Sequence, residues 1–416
     1  MNKTVYRLTL TLRSPLAIAS GANEHTDKDV ILDSRGYPFI PATAIAGVLR
    51  SFVKSSGSVL VKDTKDHDVF VARDHALFGF IPTSKDEMGK PENMELPSLL
   101  RFYDAAFVGD SKDYFITNRD CVALENKVGV KGAKFDLQAV EPSAKFMGCI
   151  EILNDKYDVQ AELERALAAL DAGLLAFGGK TSRGYGQVSV TAQKRQFTDI
   201  TAWLDFDMFA EECWEGIKPI KLRNVDAEYS RFEVRLKLIS GISIREYTTN
   251  VDDADYRSLS LHNKVKTAVI PGTSWAGAFR DRYIELTGDD EGTRSLFGFV
   301  DQGTGATQKS RIIFSESNMT GGCAKKSTRN SVDRFSAKTK NGALYTENTH
   351  FYGSTTLCIT IRNAKSEEVR AIGLCLLDLH YGFLAVGGLT SVGRGLFEIE
   401  SVNGMPFVDF QKEVLG

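Results

Sequence analysis

Little in this 416-residue chain suits oxidising surroundings or a bilayer. Six cysteines lie at 121, 149, 213, 323, 358 and 375 with no CxxC pair, which argues against a zinc finger and against a disulfide framework. No apolar run is long enough to span a membrane. The opening MNKTVYRLTLTLRSP alternates apolar and polar residues where a secretory signal would be continuously apolar. A cytoplasmic protein with no membrane partner is expected. Low-complexity tracts are absent, and the net charge of −3 carries no global nucleic-acid signature. The composition is that of an ordinary globular protein, 43% hydrophobic and 25% charged, with chain enough for one or two domains with sizeable cores.

What is present, and present twice, is a glycine-laden phrase: GGKTSRGYGQV from Gly178 and GGLTSVGRGLF from Gly387. Further blocks repeat in the same order. FIPATAIAGVLRSFV from Phe39 matches VIPGTSWAGAFRDRY from Val269, ALFGF from Ala76 matches SLFGF from Ser295, and SLLRFYD from Ser98 matches SRIIFSE from Ser310. RDCV from Arg119 lines up with RNSV from Arg329, and KGAKF from Lys131 with NGALY from Asn341. The offset drifts from 230 through 219 and 212 to 209 without changing order, which chance similarity would not preserve. The chain reads as a tandem duplication, with domains at 1–192 and 229–416 and a linker carrying a short helix at 193–228.

Each half opens with an alternating strand, YRLTLTL and then FEVRLKL. A helix follows the IP motif: Ile45, Val48, Leu49 and Phe52 are spaced i, i+3, i+4, i+7, and Trp275, Ala278 and Phe279 mirror them. Thr43 and Thr273 are candidate N-caps. FMGCIEIL and TTLCITIR read as strands, Leu163 to Leu174 and Ile372 to Leu379 as helices, and GQVSVT and GLFEIES as closing strands. That order is the βαββαβ of an α+β, ferredoxin-like (RRM-like) domain, here in tandem with loop insertions such as SKDEMGKPENMEL.

The set IPxTxxxGxxR, LFG, SxxxF, RNSVDR with NGALY, and a terminal GGxTSxGxG resembles the RAMP superfamily of CRISPR effector proteins, and within it the backbone subunits of type III complexes. The likeness covers nearly every segment except the linker and the insertions. It implies a double subunit that binds guide RNA, cleaves complementary target RNA as an endoribonuclease, and assembles with the large subunit and further RAMP subunits. Two other readings stay open: a filament scaffold with no cutting role, and an endoribonuclease that processes the CRISPR repeat transcript.

Main-chain amides around Gly178, Gly179 and Gly184, and around Gly387, Gly388 and Gly393, are candidate anion-binding nests. Lys180, Ser182 and Arg183, with Thr390, Ser391 and Arg394, would add hydroxyl and basic side chains for phosphates. The stretch KKSTRNSVDRFSAKTKNG sets Lys325, Lys326, Arg329, Arg334, Lys338 and Lys340 against one acid, Asp333. Phe335 stands among them, and charge with a stacking ring suits single-stranded RNA. The equivalent stretch of the first half, 119–135, has lost most of this charge and keeps Arg119, Lys127, Lys131 and Lys134. Arg50 and Arg280 end the two AGxxR phrases and are candidate phosphate ligands as well as surface ion-pair formers.

The resemblance also supplies a cutting residue. In active members an aspartate stands in a DxxVIxD phrase upstream of the IP motif, which here is DKDVILD and falls on Asp27. His25 could assist, Asp29 is its near neighbour, and Asp33 is expected to cap the DSRG turn. RNA carries its own nucleophile, the 2′-OH, so one carboxylate can take its proton or position a hydrated divalent ion, Mg2+ or Mn2+, making Asp27 the candidate metal residue. In the second half the register is ambiguous: Asp255 fits with a small insertion, Asp252 or Asp253 with a longer loop.

Overall fold

A strand turns alternate side chains to opposite faces, so a strand that alternates in sequence must bury one face. The computed structural model describes residues 3–19, 29–54, 56–62, 68–80, 95–125, 128–222, 225, 229–247, 256–261, 266–301 and 303–416. It divides into Met1–Gly179 with Gly186–Asp226, and Lys180–Tyr185 with Ala227–Gly416.

The first unit runs β1 (Lys3–Leu12), α1 (Ala42–Val53), β2 (Leu100–Phe102), β3 (Ala105–Phe107), β4 (Ile116–Glu125), β5 (Val128–Val140), β6 (Lys145–Ile152), α2 (Val159–Asp171) and β7 (Val188–Phe197). Tyr6, Leu8, Leu10 and Leu12 of β1 are buried on one face. β1 is central, antiparallel to β7 on one side and β6 on the other, so that Leu8 lies opposite both Ala192 and Gly148. β2 and β3 extend the sheet beyond β6. Fourth, first, third, second is the strand order of a ferredoxin-like domain. Ile45, Leu49 and Val53 of α1 and Leu163, Leu167 and Leu170 of α2 fill the space above this face.

The helix starts differ from expectation. Pro41 and Pro271 occupy the N-cap positions, so Thr43 and Thr273 lie inside the first turn and cap nothing. Pro is pre-set for a helix entry and lacks a side-chain acceptor. The α1 terminus is satisfied from afar instead: the Ala42 amide donates to Asp104 Oδ1 at 2.7 Å. The stretch read as a linker with a short helix begins inside the last strand of the sheet. β7 continues to Phe197, a short helix covers Ile200–Leu204, and Trp214 is buried with Val5 and Phe197 on the sheet face away from α1 and α2.

The second unit runs β8 (Tyr229–Leu238), α3 (Gly272–Thr287), α4 (Asp290–Phe297), β9 (Ile312–Phe314), β10 (Cys323–Val332), β11 (Thr339–Phe351), β12 (Ser354–Arg362), α5 (Ser366–Tyr381), β13 (Phe397–Val402) and α6 (Phe407–Leu415). Its sheet order, β13-β8-β12-β9, repeats that of the first. Phe232, Val234, Leu236 and Leu238 point into the core, while Glu233, Arg235 and Lys237 alternate with them in solvent. No helix of the described residues is long and apolar enough to cross a membrane.

His380, near the end of α5, stacks on Phe407 with ring centroids 3.7 Å apart. Its Nδ1 accepts the Ile399 amide proton at 3.0 Å, so it is the neutral imidazole that fits. Burial pushes its pKa below the ordinary histidine value, and burial does the same to His350 of β11. A group depressed on folding is protonated first in the unfolded chain. The stability these two confer is therefore complete above pH ~6.5 and declines as pH falls below it. Thermal unfolding followed from pH 7.5 to 5 should show that decline, less steeply in His380→Asn. Imidazole titration by NMR with both values above the ordinary one would contradict it.

Candidate nucleic-acid interface

The two glycine loops have the same backbone. Each is a short 3-10 turn, Thr181–Arg183 or Thr390–Val392. Left-handed residues fall at matching positions: Gly178 and Gly387, Lys180 and Leu389, Gly184 and Gly393, Gly186 and Gly395. The last pair is the most constrained, since a Cβ there would lie 1.9 Å from the Phe177 or Val386 carbonyl oxygen. Only glycine allows that approach.

The amides expected to form anion nests are largely engaged within the fold. Gly179 and Gly388 donate to the carbonyls of Ala17 and Ser243, each at 2.8 Å. Gly186 and Gly395 donate to Pro15 and Gly241, at 2.7 and 2.8 Å. Gly184 and Gly393 close their own turns onto Thr181 and Thr390. These bonds tie the flanks of each loop, Gly179 and Gly186 or Gly388 and Gly395, to the chain leaving the preceding first strand, and these glycine amides shape the loop. Of the polar side chains, Lys180, Ser182, Arg183 and Thr390 are half-buried, and Ser391 is exposed.

Arg394 does not point outward. Its side chain is 12% exposed, 3.8 Å from the Glu347 carboxylate, and its guanidinium lies 4.6 Å over the Phe351 ring. Gly241 leaves room for it, since a Cβ there would come 2.5 Å from Arg394 Nη1. Glu347 also faces Arg329 at 3.6 Å and accepts the Thr349 hydroxyl at 2.7 Å. Arg394 is thus a strut between the glycine loop and β11. In the first unit Arg119 is buried in a two-pronged pair with Glu141, at 3.0 and 2.8 Å. Removing either member of such a pair costs about 3–5 kcal/mol. The buried carboxylates Glu141 and Glu347 were not singled out in the sequence. They lie 22 and 47 residues from the arginines Arg119 and Arg394, and no local spacing signals them.

β10 and β11 form one long hairpin, with Lys325 opposite Thr349 and Arg329 opposite Tyr345. Lys325, Lys326, Arg334, Lys338 and Lys340 are exposed, and Phe335 at the tip is 97% exposed. Asp333, the one acid of the run, is turned inward on its own loop. Its Oδ1 accepts the amides of Phe335 at 3.0 Å and Ser336 at 2.8 Å, and bonds from the Ser336 amide and hydroxyl hold its pKa below the ordinary aspartate value. The structure thus gathers Lys325, Lys326, Arg334 and Phe335 on one projecting basic element. The hairpin β4–β5 is its first-unit counterpart.

The helix arginines differ from each other. Arg50 pairs with the buried Asp74 at 3.1 Å, whereas Arg280 is exposed beside Arg294 and Phe299. Of the cutting candidates, His25, Asp27, Asp252, Asp253 and Asp255 lie outside the described residues. Asp33 caps its turn, accepting the Arg35 and Tyr37 amides at 2.9 and 3.0 Å, and the Tyr37 bond foremost holds its pKa down. Among the described residues no three His, Cys, Asp or Glu side chains gather as a metal site.

Two ferredoxin-like units, each with the same glycine-loop backbone before its last strand and each carrying a long hairpin, define a duplicated α+β fold. The family model of the RAMP superfamily matches residues 9–189 and again 252–398, and the chain belongs to that superfamily. Membership makes it a CRISPR-associated RNA-binding protein, in a family whose members can cleave RNA. No curated protein matches the chain.

Gly393 and Gly395 test which feature matters. Both have positive φ, 80° and 74°, but nothing lies within 4 Å of a Cβ at Gly393. Gly393→Ala should cost only about 1–2 kcal/mol of conformational strain. Gly395→Ala adds the carbonyl collision and should exceed about 4 kcal/mol. Denaturant titration compares them, and equal losses would show that the close approach is not what holds the loop.

Proposed function

We propose that the chain is a double backbone subunit of a type III CRISPR ribonucleoprotein, binding guide RNA and cleaving complementary target RNA. The observation that carries the RNA-binding half is the β10–β11 hairpin, with five exposed basic side chains, an inward-facing acid and a bare aromatic ring at the tip. Phosphates would meet the Lys and Arg groups, and a base would stack on Phe335. Guide RNA, target RNA, the large subunit and further RAMP subunits are the proposed partners.

The cutting half rests on the DKDVILD phrase. Asp27 is proposed to take the proton of the target 2′-OH or to orient a hydrated Mg2+ or Mn2+ beside it. The 2′-oxygen then attacks the adjacent phosphorus and the bond to the 5′-oxygen breaks, leaving a 2′,3′-cyclic phosphate and a 5′-hydroxyl that takes its proton from water. Asp255, or Asp252 or Asp253, would act likewise in the second domain, with His25 assisting in the first. Family likeness alone supports these residues.

Asp27→Ala in an assembled complex should suppress one cleavage position by about 10²–10⁴-fold while the guide stays bound. Cleavage persisting at every position would favour the scaffold reading. Lys325→Ala with Lys326→Ala should weaken binding of a labelled single-stranded RNA and lower the salt slope by about 1.4 if both meet phosphates. An unchanged slope would remove the hairpin from the interface.

A further inference from the structure

The duplication allows one surface to be compared with itself. In the first unit the AGxxR arginine, Arg50, is neutralised: Asp74, with a 4% exposed side chain, holds its Nε at 3.1 Å. His75 then stacks on Phe80, centroids 4.3 Å apart and planes 13° apart. The phrases RDHALFGF and GTRSLFGF align residue by residue, so Thr293 stands where Asp74 does and Arg294 where His75 does. Thr293 is just as buried, but its hydroxyl donates to the Asp289 carbonyl at 2.6 Å and offers Arg280 no charge. Arg294 keeps the histidine's place, with its guanidinium 4.3 Å over the Phe299 ring.

The second copy has thus lost a buried carboxylate and gained a cation on one groove, lined by Arg280, Arg294, Phe299, Val300 and Asp301. Asp301 is its one acid. It lies 4.0 Å from Arg294 Nη2, but its Oδ1 is held by the amides of Gly303 and Thr304 at 2.9 and 3.1 Å. Those bonds, Thr304's foremost, keep its pKa below the ordinary value, so it stays a turn-bound anion shared with the loop. Among the described residues Arg280 has neither an ion-pair nor a hydrogen-bond partner. Two arginines around an aromatic floor outnumber the one acid, whose Oδ2 faces Arg294 alone, and match an RNA phosphate: guanidinium groups present paired N–H donors to its oxygens.

We infer that the Arg280–Arg294 groove is a phosphodiester-binding subsite for RNA that the second copy has and the first lacks. The inference rests on the RNA-binding reading and adds a place to it. The full-length chain is titrated with a fluorescein-labelled single-stranded RNA by fluorescence anisotropy at several salt concentrations. Arg280→Ala with Arg294→Ala should weaken binding about tenfold, the scale of a lost charge-assisted hydrogen bond, and reduce the salt slope by about 1.4. Thr293→Asp restores the first copy's carboxylate beneath an intact Arg280. It should weaken binding by a smaller factor and lower the slope by about 0.7. Melting temperatures establish that each variant is folded, and should Thr293→Asp not fold, the double variant decides alone. If the Lys325 and Lys326 variant loses affinity while both groove variants bind as wild type, the subsite is overturned and the hairpin reading stands. If neither set changes affinity or slope, both readings fall.

Discussion

The architecture of both domains turns on a collision that glycine avoids. After its long C-terminal-half helix, α2 or α5, each domain must reverse direction and lay its last sheet strand beside its first. The chain does so by passing Gly186 over the Phe177 carbonyl, and Gly395 over that of Val386, with 1.9 Å available where a Cβ would sit. Because that reversal positions β7 against β1 and β13 against β8, the central strand pairing of each sheet depends on it. The amides of Gly179, Gly184 and Gly186, and of Gly388, Gly393 and Gly395, are consumed in holding it there.

Burial sorts the basic side chains of both units. Arg119 and Arg394 look basic in sequence, yet each is turned toward a buried glutamate and contributes to shape. Lys325, Lys326 and Arg334 keep solvent and their charge. A near-neutral chain can therefore present a strongly basic element, since its acids lie elsewhere or, like Asp333, face inward.

How far the sequence foretold this follows from the range of each interaction. The alternation in β1 and β8, the helical spacing of α1 and α3, and the repeated glycine phrase are local patterns, and each appears where the residues implied. Partnerships across long stretches of chain left no such trace. Asp104 caps a helix 62 residues away, so Thr43 looked the better cap. Trp214 reads as part of a linker until Val5 and Phe197 are seen beneath it. The fate of an arginine is likewise decided by a carboxylate that sequence spacing does not reveal.

Duplication turns that blindness into information. What the two copies share is what the backbone enforces: strand order, the left-handed positions, the carbonyl approach. What they do not share is side-chain charge on surfaces the backbone leaves free. Asp74 and Thr293 each sit buried in the short helix running into the LFG phrase, yet one leaves its arginine half of an ion pair and the other leaves it an exposed cation. Divergence of this kind costs little stability, since an exposed guanidinium is well hydrated and a buried carboxylate is expensive without its partner. Two copies held to one fold by the same glycine constraint are thereby free to carry different charge on their surfaces.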